Sequence, residues 1–270
     1  PNSPTGEAIW GDFNNDGYLD VFMMGAIGPG YQTRLFLNNN GVAFTDSGLT
    51  LPAVGGQIRC ADLDNDGDLD FAIIGSPTSD FFLTGVFKVY RNDLITPNVQ
   101  PNPPTNLTAT ITNFGTRLVL SWNAAADANQ TAGLSYNLRL GTQPGASDVF
   151  SATADPTNGF RRLVAAGNSG GRLERVFTNF PAGVYYWSVQ AIDHSFLGSD
   201  FAPEATFMVS KPTITDVSDR TIVPDAANQI PFSVTALGTS VDTLTFTATA
   251  TDTNLIPANG FSFTGSGSNR

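Results

Sequence analysis

Apolar and polar positions alternate along most of the chain in short runs broken by Gly, Pro, Asn and Asp, the pattern of half-buried strands joined by turns. Residues 106–113, 117–122, 135–141, 172–177, 184–192 and 205–209 read this way, as do 213–217, 230–235, 244–250 and 261–264. In the run 184–192, Tyr185, Trp187, Val189 and Ala191 share one face and Tyr186, Ser188 and Gln190 the other, because strand side chains point to opposite sides in turn. The first set is apolar throughout and is expected to face a core, with Trp122, Phe36 and Tyr90 assigned to core faces on the same ground.

Near the start, one pattern occurs twice. Gly11-Asp-Phe-Asn-Asn-Asp-Gly-Tyr-Leu-Asp-Val-Phe-Met-Met-Gly-Ala26 aligns without gaps on Ala61-Asp-Leu-Asp-Asn-Asp-Gly-Asp-Leu-Asp-Phe-Ala-Ile-Ile-Gly-Ser76, a shift of 50 residues. Arg34–Asn39 then aligns on Lys88–Asp93 at a shift of 54, which places a length difference of four in the intervening loop, where length changes cost little. Each unit reads as strand, acidic turn, apolar strand, loop and amphipathic strand ending in Asn. From Thr96 to Pro104, four prolines and no apolar period mark a stiff linker.

These motifs resemble the FG-GAP or VCBS repeats of calcium-binding β-propellers such as the integrin α-subunit head, over residues 7–93. The resemblance implies about two propeller blades, with further blades upstream. It also implies Ca2+ at two sites. In the first loop the ligands are Asp12, Asn14 and Asp16, the carbonyl of Tyr18, and Asp20; in the second they are Asp62, Asp64, Asp66, the carbonyl of Asp68, and Asp70. Calcium takes six to eight oxygens, and alternate residues of a tight turn with a glycine at Gly17 or Gly67 can converge on one point. A helical EF-hand would need Glu where Met23 and Ile73 stand, and a dockerin-like loop also needs an acidic residue there. Thrombospondin-like repeats need more cysteines than Cys60 alone. The plainer reading is an Asp/Asn/Gly hairpin turn without metal, against which the recurrence of the same spacing counts.

The segments around Pro104-Thr-Asn-Leu, Leu120-Ser-Trp122, Tyr136–Leu140 and Pro181–Ala191 resemble a fibronectin type III sandwich over residues 103–210, with Trp122 as its inward tryptophan and Tyr185 as its corner tyrosine. Residues 144–171 exceed what such a domain needs. From Lys211 the chain resembles the opening half of an immunoglobulin-like repeat of large bacterial surface proteins. The expected architecture is therefore all-β: a partial β-propeller over 1–97, a linker and fibronectin type III-like sandwich over 98–210, and an incomplete immunoglobulin-like sandwich over 211–270.

Composition agrees, since charged residues are only 14% of the 270 while Thr, Ser, Asn, Gly and Pro abound. A net charge of −11 opposes nucleic-acid binding, which needs clustered Lys and Arg. Eight of the 24 acidic residues fall in the two loops, where a cation would neutralise them. No apolar stretch reaches the roughly 20 residues that cross a bilayer, so membrane insertion is not expected in this chain. The start, Pro-Asn-Ser-Pro, lacks a signal-peptide pattern, and the reading expects a piece of a longer protein.

Asp193-His194-Ser195 has the residue types of a nucleophilic triad, but triad members converge from separate places, so a surface turn is expected instead. Cys60 reads as a small core residue. Asn106 and Asn129 fit a glycosylation pattern that is irrelevant in a bacterial protein. Residues 103–210 hold no acidic cluster and are expected to fold without metal. Together these features predict a non-catalytic, calcium-stabilised adhesion, recognition or scaffold region of a large secreted or cell-surface bacterial protein, with an unknown protein or glycan ligand. The alternative is a set of accessory modules of a secreted hydrolase whose catalytic domain lies elsewhere.

Overall fold

A computed structural model of the chain describes residues 6–27, 30–78, 84–94, 96–161, 163–215, 217, 221, 228–236, 241–253, 256, 257 and 260–269. The opening Pro-Asn-Ser-Pro, most of the loop expected to absorb the four-residue difference, and Asp216 of the expected strand 213–217 lie outside the described residues. The described chain is all-β: several separate sheets, none closed, and two short 3-10 turns at Asn113–Gly115 and Val241–Thr243. No helix among the described residues is long and apolar enough to cross a membrane. The residues divide into two compact units, one of Pro1–Ala109, Leu120–Arg175 and Tyr185–Phe207, the other of Thr110–Val119, Val176–Val184 and Met208–Arg270.

The first repeat forms an antiparallel sheet of β1 (Glu7–Gly11), β2 (Asp20–Ile27), β3 (Gly30–Asn39) and β4 (Ala43–Asp46), in that order. The second forms β5 (Gly55–Ala61), β6 (Asp70–Ser76) and β7 (Val86–Tyr90). The registers repeat: Trp10 pairs with Val21 and Val21 with Phe36, as Cys60 pairs with Phe71 and Phe71 with Tyr90. Strand β4 was not legible as a strand in the sequence. The two sheets enclose one core of Phe22, Met24 and Leu35 from the first and Ile58, Phe71 and Ile73 from the second, joined by Phe13, Val54 and Leu69. Phe22 and Phe71 meet edge to face at 4.7 Å between ring centroids, and Tyr90 stacks on Phe71 at 4.8 Å.

One core assignment fails here. Phe36 is half-buried on the far side of β3, whereas its neighbour Leu35 fills the core. Phe36 is the counterpart of Tyr90, but the two repeats bury opposite faces, so counterparts end up on opposite sides of their sheets.

The later strands are β8 (Thr105–Thr112), β9 (Arg117–Asn123), β10 (Ser135–Gly141), β11 (Glu174–Thr178), β12 (Gly183–Ile192) and β13 (Ala205–Val209), each within two residues of its sequence-based bounds. They form two sheets, ordered β11-β9-β8 and β10-β12-β13. Trp122 lies 6.4 Å from Trp187 and 5.7 Å from Tyr136, centroid to centroid, and Tyr185 stacks on Phe207 at 5.3 Å. As expected, Tyr185, Trp187, Val189 and Ala191 are buried. The opposite face of the same sheet is buried too, because the segment 144–171 lies over it. There Asn137 Nδ2 donates to Gln190 Oε1 (3.1 Å), Gln190 Nε2 donates to the carbonyls of Gly159 and Ser199 (2.6 Å each), and Ser188 Oγ donates to the carbonyl of Ala202 (2.6 Å). Polar groups are tolerated on this covered face because each is hydrogen-bonded.

Among the described residues beyond 211 there is one short pair, β14 (Thr213–Ile214) with β15 (Val234–Thr235), and a bridge from Ser233 to Asn269. The alternating segments 244–250 and 261–264 form no strand. They contribute Phe246 and Phe263 to a cluster with Phe232, at centroid distances of 5.7–6.3 Å.

Candidate metal centre

Both acidic turns are built by the same hydrogen bonds. Asn15 (φ 57°) and Gly17 (φ 85°) in the first, and Asn65 (φ 64°) and Gly67 (φ 94°) in the second, take the left-handed conformations that turn the chain back on itself. The Asp12 carboxylate accepts from the backbone N–H of Asp16 (3.2 Å) and Gly17 (2.7 Å), and Asp62 accepts from Asp66 (3.1 Å) and Gly67 (3.0 Å). Asp16 accepts from Tyr18 N–H (2.9 Å) as Asp66 does from Asp68 N–H (3.0 Å).

The last acidic residue of each loop closes it. Asp20 accepts from Phe13 N–H (2.9 Å) and Asn38 N–H (2.8 Å); Asp70 accepts from Leu63 N–H (2.8 Å) and Asn92 N–H (2.7 Å). This gives the terminal Asn of each repeat a role that the sequence alone did not assign. Asn38 Nδ2 and Asn92 Nδ2 also reach back to the carbonyls of Leu19 (3.0 Å) and Leu69 (3.3 Å).

The loops differ as cation sites. In the second, one carboxylate oxygen from each of Asp62, Asp64 and Asp70 lies within 4.8 Å of the others, and Asp64, Asp66 and Asp93 form an overlapping group of the same kind. Two oxygens that each sit 2.3–2.6 Å from one calcium ion are at most roughly 5 Å apart, so the first group fits a shared ion. Asp64 also lies 2.8 Å from Arg91 Nε, which pairs with Asp93 as well, so a guanidinium already neutralises part of this charge. In the first loop Asn14 stands where Asp64 stands in the second, and its amide donates to Asp16 Oδ2 (2.9 Å). No such three-carboxylate group occurs there among the described residues. Burial, chiefly, pushes the Asp20 carboxyl up to about 6 despite two backbone donors, and raises Asp12 as well. A divalent cation would reverse both shifts.

Asp68 does something the sequence did not suggest. Its carboxylate, almost wholly buried, accepts from Asn15 Nδ2 of the first loop (2.6 Å) and from Leu94 N–H (3.0 Å), tying the two turns together. Asn92 Nδ2 adds a second tie, to the carbonyl of Phe13 (3.0 Å).

Asp193-His194-Ser195 is not the surface turn expected from sequence: Asp193 and Ser195 are both only 5% exposed. The turn docks on the first acidic loop. Asp12 N–H donates to the His194 carbonyl (3.1 Å), Ser195 Oγ donates to the Asp12 carbonyl and to Asn15 Oδ1 (3.1 Å each), and His194 Nδ1 lies 2.9 Å from the Gly17 carbonyl. A Cβ at Gly17 would come within 2.5 Å of the Asn129 carbonyl, so glycine there serves the close approach as well as the turn. Ser195 and His194 thus face backbone carbonyls rather than each other. The second loop is left more open: Asp64, Asn65 and Asp66 are exposed beside a cleft of about 390 Å3 that Asn65, Gly67, Phe160, Arg161 and Leu163 help to line. Cys60 is half-buried against the repeat core and its thiol is pushed up to about 11 by burial, in keeping with a packing role.

Burial also pushes Asp193 up to about 7, with Asp127 adding to the effect and Asn98 Nδ2 (2.8 Å) and Leu197 N–H (2.8 Å) opposing it. A carboxyl with a raised folded pKa binds its proton more tightly when folded, so this contribution to stability is full below the ordinary carboxylate range and is lost as pH rises through about 7. Asp193→Asn is therefore expected to gain relative to the parent, by on the order of 1–3 kcal/mol, between pH 5 and pH 8. Urea unfolding of both proteins at the two pH values measures it; a difference that does not change with pH would mean that Asp193 is ionised throughout.

Comparison with known proteins matches residues 9–73 to the family model described as FG-GAP-like repeat, the stretch that holds both loops and the strands before and after them. No curated protein matches. Among solved structures, the chain is similar to a Fn3-like protein from Clostridium thermocellum, at 23% identity over 40% of this chain and 92% of that one, with a TM-score of 0.28.

Proposed function

We propose that residues 7–93 are two blades of a calcium-binding β-propeller and that the chain is a non-catalytic, calcium-stabilised adhesion or scaffold region of a secreted or cell-surface protein. The observation that carries this reading is the convergence of Asp62, Asp64 and Asp70 in a loop that repeats the hydrogen bonds made by Asp12, Asp16 and Asp20 in the first. The second loop would hold the ion by these three carboxylates, with Asp66 beside them; Asp12, Asn14, Asp16 and Asp20 would hold a weaker one. A bound calcium ion supplies the positive charge that these buried and crowded carboxylates lack.

A loop offering this few carboxylate ligands is expected at the weak, near-millimolar end of the range for calcium loops, the end that extracellular modules occupy, which favours an extracellular setting. Residues 103–210 fit a fibronectin type III reading through the Trp122–Trp187 core between two sheets. For residues 211–270 the immunoglobulin-like reading has only the β14–β15 pair in its support.

Calorimetric titration of the whole chain is expected to give calcium binding with a Kd on the order of 0.1–1 mM, dominated by the second loop. Absence of calcium heat at several times that concentration, or a preference for zinc, would sink the assignment.

A further inference from the structure

The two acidic turns share a backbone but not their surroundings. In the first, Asn15 is buried and its amide is fully used: Nδ2 donates to Asp68 and to the Thr96 carbonyl, and Oδ1 accepts from Ser195. Its counterpart in the second, Asn65, takes the same left-handed conformation, yet its side chain is exposed and makes no hydrogen bond among the described residues. Asn65 borders the cleft of about 390 Å3, a volume within the roughly 300–1,000 Å3 of small-ligand sites. Gln100 and Asp200 border the same cleft, are likewise exposed, and likewise leave their side chains without a hydrogen bond among the described residues.

The backbone around these open side chains is held by bonds of its own. Gln190 Nε2, buried in the sandwich, holds the Gly159 carbonyl, while Gly159 N–H donates to the Asp155 carbonyl (2.8 Å) and Asp155 N–H to the Phe160 carbonyl (2.9 Å). Arg161 ties this segment to the turn after β12, donating to the carbonyls of Phe196 (3.2 Å) and Ala165 (2.6 Å), and Leu197 N–H holds that turn to Asp193. Facing the second acidic turn, the same segment presents Phe160 and Leu163, 46% and 51% exposed. The cleft thus combines fixed walls, an apolar patch and three polar side chains left open, and a site already fixed in shape loses little entropy on binding.

We propose that this cleft binds a short neutral oligosaccharide, with Asn65, Gln100 and Asp200 on its hydroxyls and Phe160 and Leu163 against a ring face. The inference deepens the recognition reading above by naming a ligand class, and it does not need the calcium assignment. Charge narrows the ligand. Asp62 and Asp200 in the lining, with the net charge of −11, oppose an anion, and Arg161 offsets part of that charge, so the lining carries no strong field for a cation. Hydrogen-bonding capacity points the same way. A sugar hydroxyl both donates and accepts, as the amides of Asn65 and Gln100 do, and a carboxylate such as Asp200 accepts from two neighbouring hydroxyls. The C–H face of a pyranose ring is apolar and packs on an aromatic or aliphatic wall.

Ligand-observed NMR titration of the whole chain tests this, with cello-, chito-, malto-, manno- and galacto-oligosaccharides as neutral probes, oligogalacturonate as the anionic arm and an alternating lysine–leucine peptide as the basic arm. At least one neutral series is expected to bind with a Kd of roughly 0.1–1 mM, which a few net hydrogen bonds and one apolar contact supply, and neither charged probe is. Gln100→Ala, Asp200→Ala and Asn65→Gly, the last keeping the left-handed backbone, should each weaken that binding about 3- to 10-fold. All three side chains are exposed, and an unchanged thermal transition checks folding; Leu163→Ser tests the apolar wall in the same way. No binding by any neutral series, or binding that all four variants leave within about twofold, would overturn the proposal. Binding of the acidic or the basic probe in place of the neutral ones would overturn it in favour of that chemistry. Calcium heat is measured separately: heat without saccharide binding sinks this inference alone, and saccharide binding without heat sinks only the calcium assignment.

Discussion

Asp70→Ala is expected to abolish the calcium response of the second loop, whereas Asp68→Ala leaves that response in place, although both remove one buried carboxylate from the same turn. Asp70 is fully buried, belongs to the three-carboxylate group, and holds the N–H groups of Leu63 and Asn92. Its loss takes away a ligand and strands two backbone donors, at a cost of about 2–6 kcal/mol. The Asp68 carboxylate points elsewhere, to Asn15 and Leu94. Its removal leaves the group of Asp62, Asp64 and Asp70 intact and costs stability through the lost tie between turns. That cost is about 1–4 kcal/mol, since Asn15 Nδ2 keeps a bond to the Thr96 carbonyl at 3.2 Å. Titration heats in an Asp16→Asn background, in which the Tyr18 N–H keeps an acceptor, report the second loop with the first weakened. Equal loss of calcium response from both substitutions would show that the ligand register is wrong. Loss of the calcium response from Asp70→Ala alone, with the larger loss of stability also falling on Asp70→Ala, is the expected pattern.

What the sequence revealed and what it hid divide along the range of the interactions. The repeat, the turns and strands β8 to β13 were legible because they depend on spacing within a dozen residues: the left-handed Asn and Gly positions, and the alternation that buries Trp187 and Val189. Pairings across long separations were not. Asp68 reads as one more loop acid until Asn15, 53 residues away, is found beside it. Ser195 reads as part of an exposed turn until Asp12, 183 residues away, accepts its hydroxyl. Phe36 was misplaced for a related reason, since period two assigns a residue to a face but does not say which face meets the neighbouring sheet. The buried polar row of Asn137, Ser188 and Gln190 mimics a solvent face, because the segment that covers it has no periodicity of its own. Segments 244–250 and 261–264 alternate convincingly and still form no strand, which fits the rule that strand propensity is realised only against a partner strand and a packed face.

Phe22→Ala and Trp187→Ala, in different cores, are expected to lower one and the same thermal transition. Each residue is fully buried and aromatic, so truncation costs about 3–5 kcal/mol, or roughly 6–20 °C in a unit of this size. On sequence alone, residues 103–210 were expected to fold without metal and to ignore events in the repeats. The docked turn changes that expectation. Asp193, His194 and Ser195 close the strand that carries Trp187, and they bond to Asp12, Asn15 and Gly17 of the first acidic loop, while Asn98 bonds to Asp193 from the linker. Loosening the repeats through Phe22→Ala strips these partners from buried polar groups of the sandwich, and loosening the sandwich through Trp187→Ala strips them from the loop. Calcium chelation should move the same transition downward, by about 1.4 kcal/mol for each site that was filled at ten times its Kd. Ser195→Ala, which removes the hydroxyl shared by Asp12 and Asn15, should split the transition in two, the earlier step alone responding to chelator. Differential scanning calorimetry with and without chelator reads all four variants and conditions. Two transitions in the parent protein, one moved only by Phe22→Ala and the other only by Trp187→Ala, would show that the turn rests against the loop without coupling the two cores.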